Sequence, residues 1–413
     1  MPPNNGSTVG GPSPKLSRHF AKDPQAVHTI DDLLPELVAL RRDLHAHPEL
    51  AFEERRTAGI VAAALRLLGL EVHEGLAGTG VVGVLRQGGS ARTVGLRADM
   101  DALPIAEQSR LGHASRHAGV HHGCGHDGHT AMLLGAARQL ARTRRFDGTV
   151  VFIFQPAEEG RGGARVMIEQ GLFERFPCDA VYALHNWPEL PLGQAQTRAG
   201  PIMAAADRFD IVLRGRGGHA AQPHRTPDVL LAASQLVGQL NTIVARRIDP
   251  AENAVLSVTR VQGGHSHNVL PAEATLTGTV RSFDAEAQDQ IEAALRAAAA
   301  GIALAHGVQA EVSYQRYYPA TVNTEAEARL ALQAAVAAGL QAAVAPRPAF
   351  TSEDFSFMLR ERPGAYLWLG QGGPAGQDQP LHHPCYDFND EALPLGVRWF
   401  CAVAEQALSI GPD

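Results

Sequence analysis

The sequence has little cysteine, no long apolar run and no excess of positive charge. Its four cysteines, at positions 124, 178, 385 and 401, form no CxxC pair, which disfavours a disulfide-bonded scaffold and predicts a cytosolic protein. No window offers about 18 consecutive apolar residues free of charge, so no membrane-spanning helix is predicted. The net charge of -7 argues against a nucleic-acid or membrane-surface partner.

The remaining composition is typical of a globular protein. Its 413 residues suffice for two domains with a core each, and 45% of them are hydrophobic. The first 26 residues contain neither a basic start nor an apolar stretch like that of a signal peptide. We therefore predict a flexible leader over 1–26.

Residues 123–129 read Gly-Cys-Gly-His-Asp-Gly-His and concentrate reactive side chains. This stretch holds one thiol, two imidazoles and one carboxylate, and its glycines let the backbone turn so that several side chains face one point. The residues that follow, 130–140, have the apolar spacing of a helix. A thiolate is favoured just before a helix N-terminus, where it can serve as metal ligand or nucleophile. The alternative is a glycine-rich turn with incidental histidines.

Three apolar segments each end in polar residues that could share one site. We predict β-strands at 93–97, 149–154 and 180–184. The first precedes Asp99, the second precedes Glu158 and Glu159, and the third precedes His185. Because ligands bind at the carboxyl ends of the strands in open α/β sheets, we expect these side chains to lie together.

Residues 204–318 form a self-contained pattern in which strands and helices follow the order βαββαβ. This order is typical of a ferredoxin-like sandwich. We predict an α/β fold in which an open, mostly parallel sheet forms a metal-binding catalytic domain over 27–203 and 319–413. The βαββαβ segment would be an inserted domain over 204–318, and an Ala-rich helix is predicted at 325–344.

Five dispersed positions offer donors for a metal: Cys124, His126, Glu159, His185 and His382. Thiolate, imidazole and carboxylate together suit zinc or a neighbouring divalent ion such as manganese. The set exceeds what one tetrahedral site needs, so it would serve a pair of metals or one metal with spare ligands. Glu158 could take a proton from water and pass it to a leaving amine, although a solvated acidic pair is the alternative.

The insert carries three further candidates. His219 lies on a glycine-rich turn and is either a loop histidine or a site residue. Asn268 and Arg281 could bind a carboxylate or an oxyanion, because an amide donates hydrogen bonds and the planar guanidinium donates two in parallel.

The chain resembles the aminoacylase/carboxypeptidase-like metallohydrolases, in the branch that contains hippurate hydrolase and indoleacetyl-amino-acid hydrolases. The matching motifs extend in the family's order from about residue 30 to the C-terminus. They are RRDLHAHPE (41–49), GLRADMDALPI (95–105), GCGHDGHTAM (123–132), FQPAEEG (154–160), HNWP (185–188), GGHAAQPH (217–224), SEDF (352–355) and LHHPCYDFND (381–390).

The resemblance implies roles for the candidate residues. It implies metal ligation by the five donors named above, with Glu158 as general base and Asp99 as a residue that orients a ligand. It also implies that the insert acts as a lid and dimer contact, with His219, Asn268 and Arg281 binding substrate.

The chain departs from the family pattern in a few places. Related branches carry a histidine where this chain has Arg97. Where the family often has Met-His-Ala-Cys, this chain has His121-His122-Gly-Cys. His383 also adjoins the implied ligand His382. None of these departures removes a ligand.

The predicted function is metal-dependent hydrolysis of the amide bond of N-acyl amino acids, which releases a carboxylic acid and a free amino acid. The resemblance implies two divalent ions, zinc or manganese, and a homodimer or higher oligomer in the cytoplasm, with a small-molecule substrate. A dipeptidase or carboxypeptidase using the same site is the alternative enzyme. A non-catalytic metal-binding protein is the alternative of another class.

Overall fold

A computed structural model describes residues 29–372 and 379–410, and the leader predicted over 1–26 lies outside them. In chain order the α-helices are α1 (Leu34–Ala46), α2 (Arg55–Leu67), α3 (His126–Thr143), α4 (Glu158–Arg161), α5 (Gly163–Glu169), α6 (Leu172–Arg175), α7 (Val229–Arg247), α8 (Ala285–His306), α9 (Glu325–Ala337), α10 (Ser356–Glu361) and α11 (Leu393–Ala407). The β-strands are β1 (Glu71–Leu76), β2 (Gly80–Gln87), β3 (Thr93–Asp99), β4 (Gly148–Gln155), β5 (Ala180–Pro191), β6 (Gln194–Thr197), β7 (Gly200–Met203), β8 (Ala205–Arg214), β9 (Gly218–His219), β10 (Ala254–Gly263), β11 (Val269–Leu270), β12 (Glu273–Ser282), β13 (Gln309–Tyr318), β14 (Thr321–Asn323), β15 (Gln341–Val344) and β16 (Gly364–Gly372).

The chain folds into two units. Among the described residues, the larger unit comprises 29–200, Asn323–Pro346, 357–372 and 379–410. The smaller unit comprises Pro201–Val322 and Arg347–Ser356. Each unit has a hydrophobic core of its own.

The larger unit contains a mixed sheet in the order β1-β2-β4-β3-β5-β16-β6-β15. Its centre, β4-β3-β5-β16, is parallel throughout. These central strands are almost continuously buried, as expected for parallel strands covered on both faces. Helix α3 packs against β3 and between α1 and α11, which places the start of α3 at the sheet's carboxyl edge.

The smaller unit is a four-stranded antiparallel sheet in the order β10-β12-β8-β13. Phe209, Ile211 and Leu213 alternate along β8 toward a core that α7 and α8 complete. Both helices begin at an aspartate, Asp228 or Asp284, whose side chain accepts hydrogen bonds from backbone N–H groups of the first turn. The prediction of a mostly parallel α/β sheet with an inserted βαββαβ unit is confirmed.

Two predicted elements differ from the structure. The helix predicted at 325–344 ends at Ala337, because Gly339 takes a φ of 83° and the chain turns into β15, which pairs parallel to β6. The strand predicted to end before His185 continues to Pro191, because β16 pairs alongside it for that length. Within the described residues, every helix is too short or too polar to cross a bilayer.

Candidate metal centre

A sharp turn precedes α3, and glycine makes it possible. Gly125 has a φ of 92°, a conformation that side chains disfavour. A Cβ at this position would lie 2.5 Å from Oδ1 of Asn186, so a larger residue would collide. The turn places Cys124 just before the helix and His126 at its first residue, both buried.

The structure brings together all five residues that the sequence pattern singled out as metal ligands. Sγ of Cys124 lies 3.4 Å from Nε2 of His185, and Nε2 of His382 lies 3.3 Å from Oε1 of Glu159. Donor atoms of Cys124, His126 and His185 all lie within 4.8 Å of one another. Those of Cys124, Glu159 and His382 do so as well, which makes Cys124 common to both groups.

Glu158 and Glu159 lie on an irregular turn after β4. Ala157, just before them, has a φ of 57°, which residues other than glycine rarely adopt. Asp101 clamps this turn through both of its carboxylate oxygens. The backbone N–H of Glu158 donates to Oδ1 and that of Glu159 donates to Oδ2, each at 2.9 Å. This clamp holds the turn so that both glutamate carboxylates and a ring nitrogen of His126 lie within 4.8 Å of one another.

Asp99 ends β3 beside the cluster and is fully buried. Its Oδ1 accepts a hydrogen bond from Nδ1 of His129 at 2.6 Å, and its Oδ2 accepts one from Nη1 of Arg97 at 2.8 Å. Nε2 of His126 lies 3.6 Å from Oδ2. Burial disfavours the carboxylate, but His126, His129 and Arg97 outweigh it and hold the pKa of Asp99 well below its ordinary value.

The adjacent histidines His382 and His383 have different surroundings. His382 has a φ of 66°, and its backbone N–H donates to the carbonyl of Gly123 at 2.7 Å, which holds it beside the cysteine turn. Nδ1 of His383 instead accepts a hydrogen bond from the backbone N–H of Cys385 at 3.1 Å. Of this pair, it is therefore His382 that offers a donor to the cluster.

These residues fit a divalent metal. The side chain of His126 is fully buried, and its ring nitrogens face carboxylates without meeting hydrogen-bond geometry: Nδ1 lies 3.4 Å from Oδ1 of Asp101, and Nε2 lies 3.6 Å from Oδ2 of Asp99. Burial, together with the carboxylates of Glu159 and Glu158, raises the pKa of the Cys124 thiol well above its ordinary value, so a thiolate there needs a cation beside it. Burial also lowers the pKa of His185, which leaves a neutral ring suited to ligation.

In the smaller unit, the structure brings together His219 and Asn268 but not Arg281. His219 pairs with Val269 in the β9–β11 ribbon, and the carbonyl of Asn268 accepts a hydrogen bond from Ala220 at 3.0 Å. Arg281 is the penultimate residue of β12, whose first residue follows the ribbon closely. At about 3.3 Å per strand residue, Arg281 lies roughly 25 Å farther along.

Two further buried residues, Asp101 and His129, support the cluster, and neither is predicted as a site residue from the sequence. Asp101 binds the glutamate turn, and His129 joins Asp99 to Asn186, whose Oδ1 lies 2.6 Å from Nε2 of His129. Both lie within motifs quoted above, Asp101 two residues after Asp99 and His129 three residues after His126. An i, i+3 spacing on α3 places His129 and His126 on one helix face, and this signal could have indicated His129.

Cysteine, histidine and glutamate donors at the carboxyl edge of a parallel sheet, with a second carboxylate beside them, are typical of metal-dependent hydrolases. Comparison with known proteins agrees with this class. Residues 95–406 match the peptidase family M20/M25/M40, and the chain belongs to this family. The resemblance found in the sequence is thereby confirmed.

The chain is similar to several named proteins over most of its length. It is 39% identical over 370 residues to an N-acetylcysteine deacetylase of Bacillus subtilis, which covers 89% of this chain and 96% of that protein. It is 39% identical over 375 residues to a hippurate hydrolase of Campylobacter jejuni, with 90% and 97% covered. The crystal structure of the Bacillus subtilis YXEP protein, a dinuclear metal-binding peptidase of the M20 family, matches with a TM-score of 0.80 and 36% identity over 92% of this chain and 99% of that chain. The chain is a metal-dependent amide hydrolase, as predicted.

Proposed function

We propose that this protein hydrolyses the amide bond of N-acyl amino acids to a carboxylic acid and a free amino acid. The observation that carries the proposal is the convergence of one thiol, three imidazoles and two glutamates at one sheet edge. The relatives support the substrate class, since one is a deacetylase of N-acetylcysteine and another a hydrolase of hippurate.

We propose that the metal is a pair of zinc or manganese ions. It would be held by Cys124, His126, Glu159, His185 and His382. Cys124 belongs to both groups of donors, so its thiolate would be a ligand common to the two groups. When bound, a divalent ion supplies Lewis-acid activation of water and of the amide carbonyl. Asp99 would orient His126, because its carboxylate faces the Nε2 edge of that ring.

Glu158 would act as the general base. It is buried at the cluster, while its neighbour Glu159 offers an oxygen to the group containing Cys124 and His382. Asp101 fixes the backbone of both residues through hydrogen bonds. Glu158 would therefore stay in place as the base and Glu159 as a metal ligand. Glu158 can take a proton from water and deliver it to the leaving amine nitrogen.

We further propose that the insert binds substrate and forms the subunit contact of a homodimer in the cytoplasm. Its sheet leaves β10 and β13 as edge strands, and edges of this kind are commonly covered by another chain. His219, Asn268 and Arg281 would bind the substrate carboxylate or the developing oxyanion. Because Arg281 lies far from His219 along the insert, one small substrate cannot reach both within a single insert.

A hydrolysis panel tests the proposed function. Purified protein is assayed with N-acetyl, N-benzoyl and indoleacetyl amino acids and with dipeptides, before and after chelator treatment and metal add-back. We expect at least one N-acyl amino acid to be cleaved with a kcat/KM above that of every dipeptide. Activity should vanish with the metal and return with zinc or manganese. A preference for dipeptides would favour a dipeptidase, and full activity of metal-free protein would exclude the proposed mechanism.

Replacing His219 by alanine should lower turnover by about 10²-fold, the typical loss when one donor to a developing oxyanion is removed. His219 is exposed, and its Nδ1 accepts a hydrogen bond from the N–H of Ala221 at 3.1 Å, which leaves Nε2–H available to substrate. Metal content and the unfolding midpoint should not change. His224→Ala, a nearby exposed histidine, is the matched control. Unimpaired turnover of His219→Ala would mean that His219 is an ordinary loop residue with no part in catalysis.

A further inference from the structure

A second group of histidine and carboxylate donors lies in the larger unit, formed by residues with no role in the proposed chemistry. One donor atom each of His45, Glu107 and His121 lies within 4.8 Å of the other two. His45 and His121 are fully buried, and the side chain of Glu107 is only 4% exposed. None of these residues belongs to the ligand set around Cys124.

The ring of His45 is oriented by a carboxylate at its far nitrogen, as the rings of metal-binding histidines usually are. Its Nδ1 lies 2.9 Å from Oδ2 of Asp127, a fully buried carboxylate that can only accept a proton or a hydrogen bond. This contact fixes the Nδ1–H tautomer and leaves Nε2 facing Oε1 of Glu107 at 3.4 Å. A carboxylate that accepts from the far nitrogen of a histidine is the usual outer contact of a metal-bound ring.

The ring of His121 has the same arrangement with a different acceptor. Its Nε2 donates to the backbone carbonyl of Tyr386 at 3.1 Å. Its Nδ1 is buried and has no hydrogen-bond partner among the described residues. A buried nitrogen without a partner is unfavourable, so an occupant that uses its lone pair would be bound favourably. His122, next in the chain, adds a buried ring whose nitrogens also lack partners in the described structure.

We propose that His45, Glu107 and His121 form an accessory site for a divalent ion of the zinc type, separate from the site around Cys124. Two imidazole nitrogens and one carboxylate oxygen are a common protein ligand set for zinc, with a position left for water or a further imidazole. His121 is one of the positions at which the chain departs from the family pattern.

The competing occupant is a proton. Burial disfavours a charged His45, but its hydrogen bonds to Asp127 and Glu107 outweigh burial and raise its pKa to about 9. A protonated His45 paired with Glu107 would satisfy these two residues, but it would leave Nδ1 of His121 without a partner. A cation satisfies all three donors at once, and this difference favours the metal.

The test counts bound cobalt in full-length protein. Wild type, His121→Met and the exposed control His117→Met are stripped with chelator, reloaded with excess cobalt(II), desalted and analysed for cobalt per chain. Methionine fills similar space without offering a nitrogen, and His117 is not among the donors. We expect wild type and His117→Met to retain one ion more per chain than His121→Met.

The absorption spectrum distinguishes the two sites. Cobalt beside Cys124 should give a thiolate-to-cobalt charge-transfer band, whereas the accessory site contains no thiolate in wild type or in His121→Met. His121→Met should therefore lose one ion and keep that band. Equal cobalt in all three proteins, or loss of the band together with the ion, would overturn the proposal.

Glu107→Gln is a second variant, which keeps the side-chain size should His121→Met fail to fold. It should weaken binding of the same single ion by at least about tenfold, in a titration followed by the sulfur-free part of the cobalt spectrum. Unchanged affinity would contradict the site. Because these readouts are metal counts and spectra, they are independent of which amide the enzyme cleaves.

Discussion

Replacing Glu158 by glutamine is expected to lower the rate of amide hydrolysis by about 10²–10⁴-fold while leaving the bound metal in place. The substitution keeps the side-chain size and removes the carboxylate that accepts the proton. The backbone clamp should survive, because Asp101 accepts a hydrogen bond from the backbone N–H of Glu158, which the substitution leaves in place. The measurement is kcat on the best substrate of the panel, with metal content determined on the same samples.

Glu159→Gln is the matched control for this prediction. It makes the same chemical change one residue later, on the same clamped turn. Because an amide oxygen is a weaker ligand than a carboxylate, this variant should lose metal, and excess metal should restore much of its activity. If Glu158→Gln loses metal and recovers with added metal while Glu159→Gln does neither, the two roles are inverted.

The strands and the insert could be predicted from the sequence because burial of apolar residues gives them a recognisable pattern. The central strands are continuous apolar runs, and the insert is a complete antiparallel sheet with its own core, so both leave strong local patterns. The helix at 325–344 was predicted too long because its alanines continue through β15. Gly339 ends the helix, and only the pairing of β15 with β6 makes 341–344 a strand.

The ligands could be predicted because thiol, imidazole and carboxylate groups stand out by their chemistry. Asp101 was overlooked because it acts on backbone N–H groups of a turn that follows a different strand, a contact that no spacing in the sequence indicates. The separation of Arg281 from His219 does not show in the sequence either, because the motifs around these residues do not give their positions on the insert. Distances across a fold depend on strand register, which local patterns do not encode.

Arg41 and Arg42 are neighbours on α1 that both bind Asp390, yet their removal should have very different effects. The side chain of Arg41 is fully buried, with Nη1 at 2.7 Å from Oδ1 of Asp387 and at 3.6 Å from Oδ2 of Asp127. The side chain of Arg42 is 50% exposed. Burial opposes the charge of Arg41, but these carboxylates outweigh it and hold its pKa above the ordinary value.

Arg41→Met should therefore lower the free energy of unfolding by about 3–5 kcal/mol, since it removes the buried cation that the carboxylates of Asp127, Asp387 and Asp390 share. Arg42→Met should lower it by only about 0–1 kcal/mol, because water screens an exposed pair. Urea unfolding of metal-saturated protein, followed by tryptophan fluorescence, measures both. The three tryptophans, Trp187, Trp368 and Trp399, all lie in the larger unit, so the signal reports on the unit that contains Arg41. Equal effects of the two substitutions would mean that burial does not decide the contribution of this network.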